Sequence, residues 1–107
     1  MKITKLETFT KSYVSFVKVT IEDGSFGFGQ MSTYHADITN QIFHKQVAPW
    51  VLGEDFFDFD DLADFVFERE HKFPGSYLLR ALAGLDTALW DLKGKIENMP
   101  VVSLIGG

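Results

Sequence analysis

The sequence predicts an α+β fold, a three-stranded antiparallel β-meander followed by three helices. Three observations carry that prediction. Residues 13–22 alternate, with Val17, Val19 and Ile21 pointing one way and Lys18, Thr20 and Glu22 the other. Asp23-Gly24 supplies the positive-φ position of a tight hairpin turn. From residue 36 onward the period changes, most plainly in Leu78, Leu82, Leu85, Leu89, Leu92 and Ile96, spaced alternately four and three apart.

Each element follows in order. Residues 2–10 are rich in Thr and other strand formers and form the first strand, although their alternation is loose. Residues 13–22 form the second strand, and Phe26-Gly27-Phe28-Gly29-Gln30-Met31 the third. Asp37 is placed to cap a first helix carrying Ile38, Ile42 and Val47, with Pro49 marking its end or a bend. Asp58 or Asp60 is placed to cap a second helix through Leu62, Phe65 and Val66. Arg69, His71 and Lys72 then meet the negative pole of its dipole. Phe73-Pro74-Gly75 makes a turn, and Ser76 is placed to cap the third helix. Ala81, Ala83, Gly84 and Ala88 lie mostly off the leucine stripe, which lets a second element approach another face of that helix closely.

Composition bounds the function. A chain of 107 residues, 46% hydrophobic and 23% charged, is expected to form one soluble globular domain. Without cysteine there is no disulfide scaffold, thiolate metal site or thiol nucleophile. No stretch approaches the ~20 apolar residues of a membrane span. The opening Met1-Lys2-Ile3-Thr4-Lys5 lacks the apolar run of a signal peptide, so a cytoplasmic location is expected. The net charge of −5 is concentrated in residues 54–70, which hold eight acids and one Arg. No basic patch exists, and a nucleic-acid partner is not expected.

Few residues suggest chemistry on their own. Gly27-x-Gly29 lies within a strand rather than at a strand-to-helix turn, so its glycines indicate close approach of another backbone or a ligand, not a dinucleotide fold. Lys93-Gly94-Lys95 falls at a helix C-terminus, where cations are favoured without catalysis. The acids between Glu54 and Glu70 alternate with Phe56, Phe57, Phe59, Phe65 and Phe67, which describes an acidic outer face over an apolar inner one. His44 and His71 read as surface or capping residues. Tyr34 and His35 differ: they sit in the loop Ser32-Thr33-Tyr34-His35-Ala36 between the last strand and the first helix, where ligand contacts collect.

The segment Ala81-Leu82-Ala83-Gly84-Leu85-Asp86-Thr87-Ala88-Leu89-Trp90-Asp91-Leu92-Lys93-Gly94-Lys95, with Pro100-Val101-Val102-Ser103-Leu104-Ile105-Gly106-Gly107 after it, resembles the end of a known domain. It is similar to the N-terminal capping domain of the mandelate racemase/muconate lactonizing enzyme group of the enolase superfamily. Lys2-Ile3-Thr4-Lys5, the Asp23-Gly24 turn with Gly27-x-Gly29, and Val51-Leu52-Gly53-Glu54-Asp55 fall in the same order. Gln30 departs from the pattern, where a Glu is usual.

The resemblance implies a capping domain over residues 1–99 and the start of a linker to a barrel over 100–107. It places the three acidic Mg²⁺ ligands and the Lys or His/Asp acid–base groups on that barrel, beyond this chain. No catalytic residue and no metal ligand is therefore expected within the 107 residues, and turnover is not expected of this chain alone. The shared reaction of such enzymes removes the proton α to a carboxylate, and the capping domain excludes water and touches the distal part of the substrate. The touching loops would be Thr10–Ser15 and Ser32–Asp37, making Tyr34, His35, Lys11 and Tyr13 the candidate substrate contacts. The short first loop is most like that of galactonate-type acid-sugar dehydratases. Racemase, epimerase or cycloisomerase activity and a free-standing oligomerisation or binding module stay open. Expected partners are the barrel, a second copy of the chain and a small carboxylic acid.

Overall fold

The computed structural model describes residues 1–101, apart from the side chains of Asp58 and Phe59. Strands β1 (Ile3–Lys11), β2 (Val14–Ile21) and β3 (Phe26–Gln30) form one antiparallel sheet in the order β1-β2-β3. Lys11 pairs with Val14, so only Ser12 and Tyr13 connect the first two strands. Between β2 and β3, Gly24 takes φ +89° and donates its N–H to the Ile21 carbonyl. The Ser25 N–H donates to the Asp23 carboxylate at 2.8 Å, and this bond holds the Asp23 pKa below its ordinary value.

Antiparallel pairing puts opposite residues on one face. Ser15, Val17, Val19 and Ile21 of β2, with Gly27 and Gly29 of β3, are buried toward the helices. Phe9, Phe16, Phe26 and Phe28 are on the other face and stay half-exposed, with the Lys18 ammonium 4.4 Å from the Phe26 ring centroid.

Helix α1 (Ala36–Ile42) runs through a π-helical turn, Phe43–Val47, into the single turn α2 (Ala48–Val51). The Ala48 N–H donates to the Phe43 carbonyl, five residues back. Pro49 follows at once, and its missing N–H is tolerated because the turn before it has already widened. A 3₁₀ segment, Phe56–Asp61, leads directly into α3 (Leu62–Arg69), and α4 (Ser76–Glu97) crosses the sheet.

Helix α4 runs antiparallel to β3 and lies unusually close to it. A Cβ added at Gly29 would stand 2.1 Å from the Gly84 carbonyl oxygen, and one at Gly27 would stand 2.4 Å from that of Ala88. The Asp91 carboxylate accepts the outward-facing N–H of Phe28 at 2.9 Å, and Lys95 donates to the Phe26 carbonyl while pairing with Asp91 at 3.1 Å. The free edge of β3 is thus occupied by two side chains of one helix turn. Lys93-Gly94-Lys95 is explained structurally: Lys95 holds that edge, and the Gly94 carbonyl accepts the Met99 N–H beyond Asn98, which ends the helix at φ +53°.

Several expectations change. Asp37, Asp60 and Ser76 do not cap their helices: the residues at those caps are His35, Asp61 and Gly75, and none of the three makes a side-chain capping bond. Each helix starts one or two residues away from the predicted cap, so the polar side chain falls in the first turn or just ahead of it. The Asp58 side chain lies outside the described residues. The first helix buries Ala36, Thr39, Phe43 and Val47, leaves Ile38 40% exposed and keeps Ile42 partly buried, because residues 36, 39 and 43 share the face toward the core. In α4 the stripe Leu78, Leu82, Leu85, Leu89 and Leu92 is buried, and only Ile96 at its end is exposed. The outer face of the sheet is one exposed apolar surface, and Phe57, Phe67, Phe73 and Leu79 are exposed elsewhere. Among the described residues no helix is long and apolar enough to cross a membrane.

Candidate functional site

The ends of β1, β2 and β3 fix where the loops emerge. Phe16 pairs with Gln30, and the Met31 N–H donates to the Ser15 carbonyl at 2.8 Å. The Ser12-Tyr13 turn and the Ser32–His35 loop therefore leave from the same end of the sheet. Helix α4 brings its first two turns there as well, since Gly84 packs against Met31 and the helix starts eight residues earlier at Ser76.

The loop after β3 is held by its own polar groups. Ser32 Oγ accepts the Tyr34 N–H at 3.2 Å. His35 takes φ 52°, ψ 49°, a left-handed conformation uncommon for a residue with a Cβ. Its carbonyl accepts the Ile38 and Thr39 N–H groups and the buried Thr39 hydroxyl at 3.3 Å, which fixes the reversal from loop to helix. The reversal brings the Tyr34 and His35 rings together edge to face, 4.3 Å between centroids, with Tyr34 67% exposed.

The four predicted contacts do not form one cluster. Tyr34 and His35 touch. Tyr13 stands at the hairpin tip, 77% exposed. Lys11 shares a shallow apolar groove with Phe9, Val14 and Phe16 on the outer face of the same sheet end. Two residues that sequence reasoning missed complete the row: Tyr77, whose ring centroid lies 6.4 Å from that of His35, and Arg80, whose guanidinium carbon lies 5.7 Å from the Tyr77 centroid. Their sequence signal is faint. Both are polar positions of α4 flanking the buried Leu78 and Ala81, and only the packing of α4 on β3 brings them to the loop.

His44 and His71 serve structure. His44 Nε2 lies 2.7 Å from the Thr8 hydroxyl, and His71 Nδ1 lies 3.1 Å from the Glu68 carbonyl at the end of α3. On the far side of α4, Asp86 shares a groove with Asp60 and Asp64. Burial raises its pKa above the ordinary carboxylate value, and the two neighbouring carboxylates raise it further. Among the described residues no group of three or more His, Asp or Glu is arranged to hold a metal ion. These residues do not fit a Mg²⁺ site.

A three-stranded meander with helices on one face, and loops gathered at one sheet end, defines the class of domain. The chain belongs to the mandelate racemase/muconate lactonizing enzyme family: the model of that family's N-terminal domain matches residues 2–106. A D-galactonate dehydratase family member from Paenibacillus sp. (strain JDR-2) is 36% identical over 99% of this chain and 27% of its own length. The D-galactonate dehydratase of Cronobacter sakazakii is 33% identical over 100% of this chain and 28% of its own. Among solved structures, a candidate racemase from Roseobacter denitrificans matches with a TM-score of 0.94 and 62% identity over 100% of this chain and 29% of that one. A mandelate racemase/muconate lactonizing protein from Paracoccus denitrificans PD1222, complexed with magnesium, gives 0.89 and 34% over 99% of this chain and 30% of that one. The chain spans less than a third of the length of these relatives.

Proposed function

We propose that this domain caps the substrate site of a cytoplasmic, Mg²⁺-dependent acid-sugar dehydratase, and that it closes over the substrate without supplying the metal or the base. The observation that carries this reading is the convergence of the two-residue hairpin turn and the Tyr34-His35 loop at one end of the sheet. A turn of only two residues leaves room beside the loop for a long polyhydroxy acid. Lys11, Tyr13, Tyr34 and His35 offer donors to its hydroxyls. The galactonate dehydratases among the relatives support the substrate class. Mg²⁺, when bound, would stabilise the enediolate formed on loss of the α-proton, and it would be held by residues that relatives carry outside the matched domain. This chain's residues orient the distal hydroxyls and exclude water. The domain's other partners in this reading are the barrel and a second copy of the chain.

A racemase is the second reading, favoured by the 62% identity to the Roseobacter candidate racemase. Assaying the full-length protein with Mg²⁺ against aldonic and aldaric acids separates the two. Dehydration to a 2-keto-3-deoxy acid is expected, whereas epimerisation at C2 without loss of water would overturn the dehydratase reading. The 107-residue chain alone should turn over neither, and metal-dependent product from it would sink the capping role.

A further inference from the structure

Among the described residues Arg80 has no counter-ion. It is half-buried in the second turn of α4, it forms neither an ion pair nor a hydrogen bond with a described residue, and its guanidinium carbon lies 5.7 Å from the Tyr77 ring centroid. Lys95, by contrast, pairs with Asp91, and Arg69 lies near two rings, 5.7 Å from the Trp50 centroid and 5.0 Å from that of Phe65. The Tyr77 ring lies beside the guanidinium and takes none of its hydrogen bonds, so the five in-plane N–H donors have no acceptor among the described residues.

A half-buried cation with open in-plane donors is suited to a bidentate anion. Its position narrows the choice. Arg80 continues the row Tyr34, His35, Tyr77 from the loop onto α4, so it lies at the sheet end where the hairpin and loop emerge. We infer that Arg80, beside Tyr77, binds an anionic group at the distal end of the substrate, so that the acid sugar carries a second negative charge besides the carboxylate at the reacting carbon. The inference rests on the acid-sugar reading above. Tyr77 acts through Arg80 as a positioning residue, because its ring lies within reach of both the guanidinium and the His35 ring.

Three probes differ only at the distal end: galactonate with a hydroxyl, galactarate with a carboxylate, and galactonate 6-phosphate with a phosphate. Binding of each to the full-length protein is measured calorimetrically alongside turnover. At least one anionic-ended probe is expected to bind about 10-fold or more tighter than galactonate. Arg80→Met should abolish that ratio, while Arg80→Lys, a point charge without the planar fork, should keep part of it. Tyr77→Phe should keep the ratio, and Tyr77→Ala should reduce it. Equal binding of the three probes overturns the inference, as does an unchanged ratio in a folded Arg80→Met protein. Turnover of galactonate in either case leaves the dehydratase reading standing. Turnover of none, with a ratio that still depends on Arg80, overturns the dehydratase reading and retains the anion site.

Discussion

Gly29→Ala tests the contact on which the whole arrangement depends. The new Cβ would meet three neighbours at once: the Gly84 carbonyl oxygen at 2.1 Å, the Ala88 nitrogen at 2.6 Å and the Thr87 Cβ at 3.0 Å. Two of these are backbone atoms of a helix interior and cannot swing aside. Restoring ordinary contact requires α4 and β3 to separate by roughly 1 Å, and a gap of that size forfeits a quarter to a half of each dispersion well along the interface. Val17, Val19, Leu85, Leu89 and Leu92 line that interface and are at most 1% exposed. Overpacking a well-filled core costs about 1–3 kcal/mol, and backbone on both sides puts this site at the upper end, about 3 kcal/mol. For a domain of this size that corresponds to a fall of roughly 12–24 °C in Tm. Two controls separate the clash from the loss of a glycine as such. At Gly24 nothing lies within 4 Å, so Gly24→Ala meets only the cost of φ +89°, about 1 kcal/mol. At Gly84 the nearest atom is Met31 Cγ at 2.4 Å, a side-chain atom that can move where backbone cannot, with Val17 Cγ2 at 3.3 Å and Met31 N at 3.4 Å, so Gly84→Ala should fall between the two. Thermal denaturation followed by circular dichroism gives the order. A Gly29→Ala melting temperature within 3 °C of the parent, or below only that of Gly24→Ala, would refute the packing argument.

Removing Asp91 uncovers the β3 edge: Asp91→Ala should cost about 1–2 kcal/mol by denaturant unfolding, leaving the Phe28 N–H and Lys95 without their acceptor. The raised pKa of Asp86 means that the folded state holds its proton more tightly than the unfolded chain does, so this carboxyl costs stability as pH rises above 3.8 and through its folded value. Asp86→Asn should therefore raise the neutral-pH melting temperature, and the gain should vanish at acid pH; a variant less stable at pH 7 contradicts this. In the full-length protein, Tyr34→Phe should shift substrate preference while stability stays within about 0.5 kcal/mol, His35→Ala should shift it at a cost of about 1 kcal/mol for the lost ring contacts, and a large loss of melting temperature with an unchanged substrate profile would make them packing residues. Self-association of the chain should run through the outer sheet face, so Phe16→Ser with Phe28→Ser should lower the sedimentation mass, and a parent that stays monomeric at high concentration excludes it.

How far the sequence is legible depends on how local the signal is. The alternation of Val17, Val19 and Ile21, the Asp23-Gly24 turn and the leucine stripe of α4 are short-range patterns, and each appears in the structure as read. The close approach indicated by Gly27-x-Gly29 is also there, because a strand glycine has few other uses. Helix starts are less legible, since Asp37, Asp60 and Ser76 are good caps by type yet stand one or two residues from the residue that ends the loop. At the first helix that residue is His35, whose left-handed turn is stabilised by the Thr39 hydroxyl four residues on and by ring contacts. The π turn was hidden for a similar reason. Its best marker is Pro49, which a straight helix would exclude, and the proline records only that something upstream must widen.

The candidate site divides along the same line. Tyr34 and His35 are adjacent in sequence and sit in a loop between two clear elements, so proximity could be read directly. Tyr77 and Arg80 lie more than forty residues further on, in a helix whose apolar stripe draws attention to Leu78 and Leu82 instead. Nothing local marks them. They join the loop only because glycines at 27, 29 and 84 let α4 lie against β3, antiparallel to it, with its first turns at the end where β3 runs out. The glycines are thus as much a part of the site as the side chains that line it. A helix held 1 Å further from the sheet would carry Tyr77 away from His35 and Arg80 with it, so Gly29→Ala should weaken binding through Arg80 even where the domain still folds.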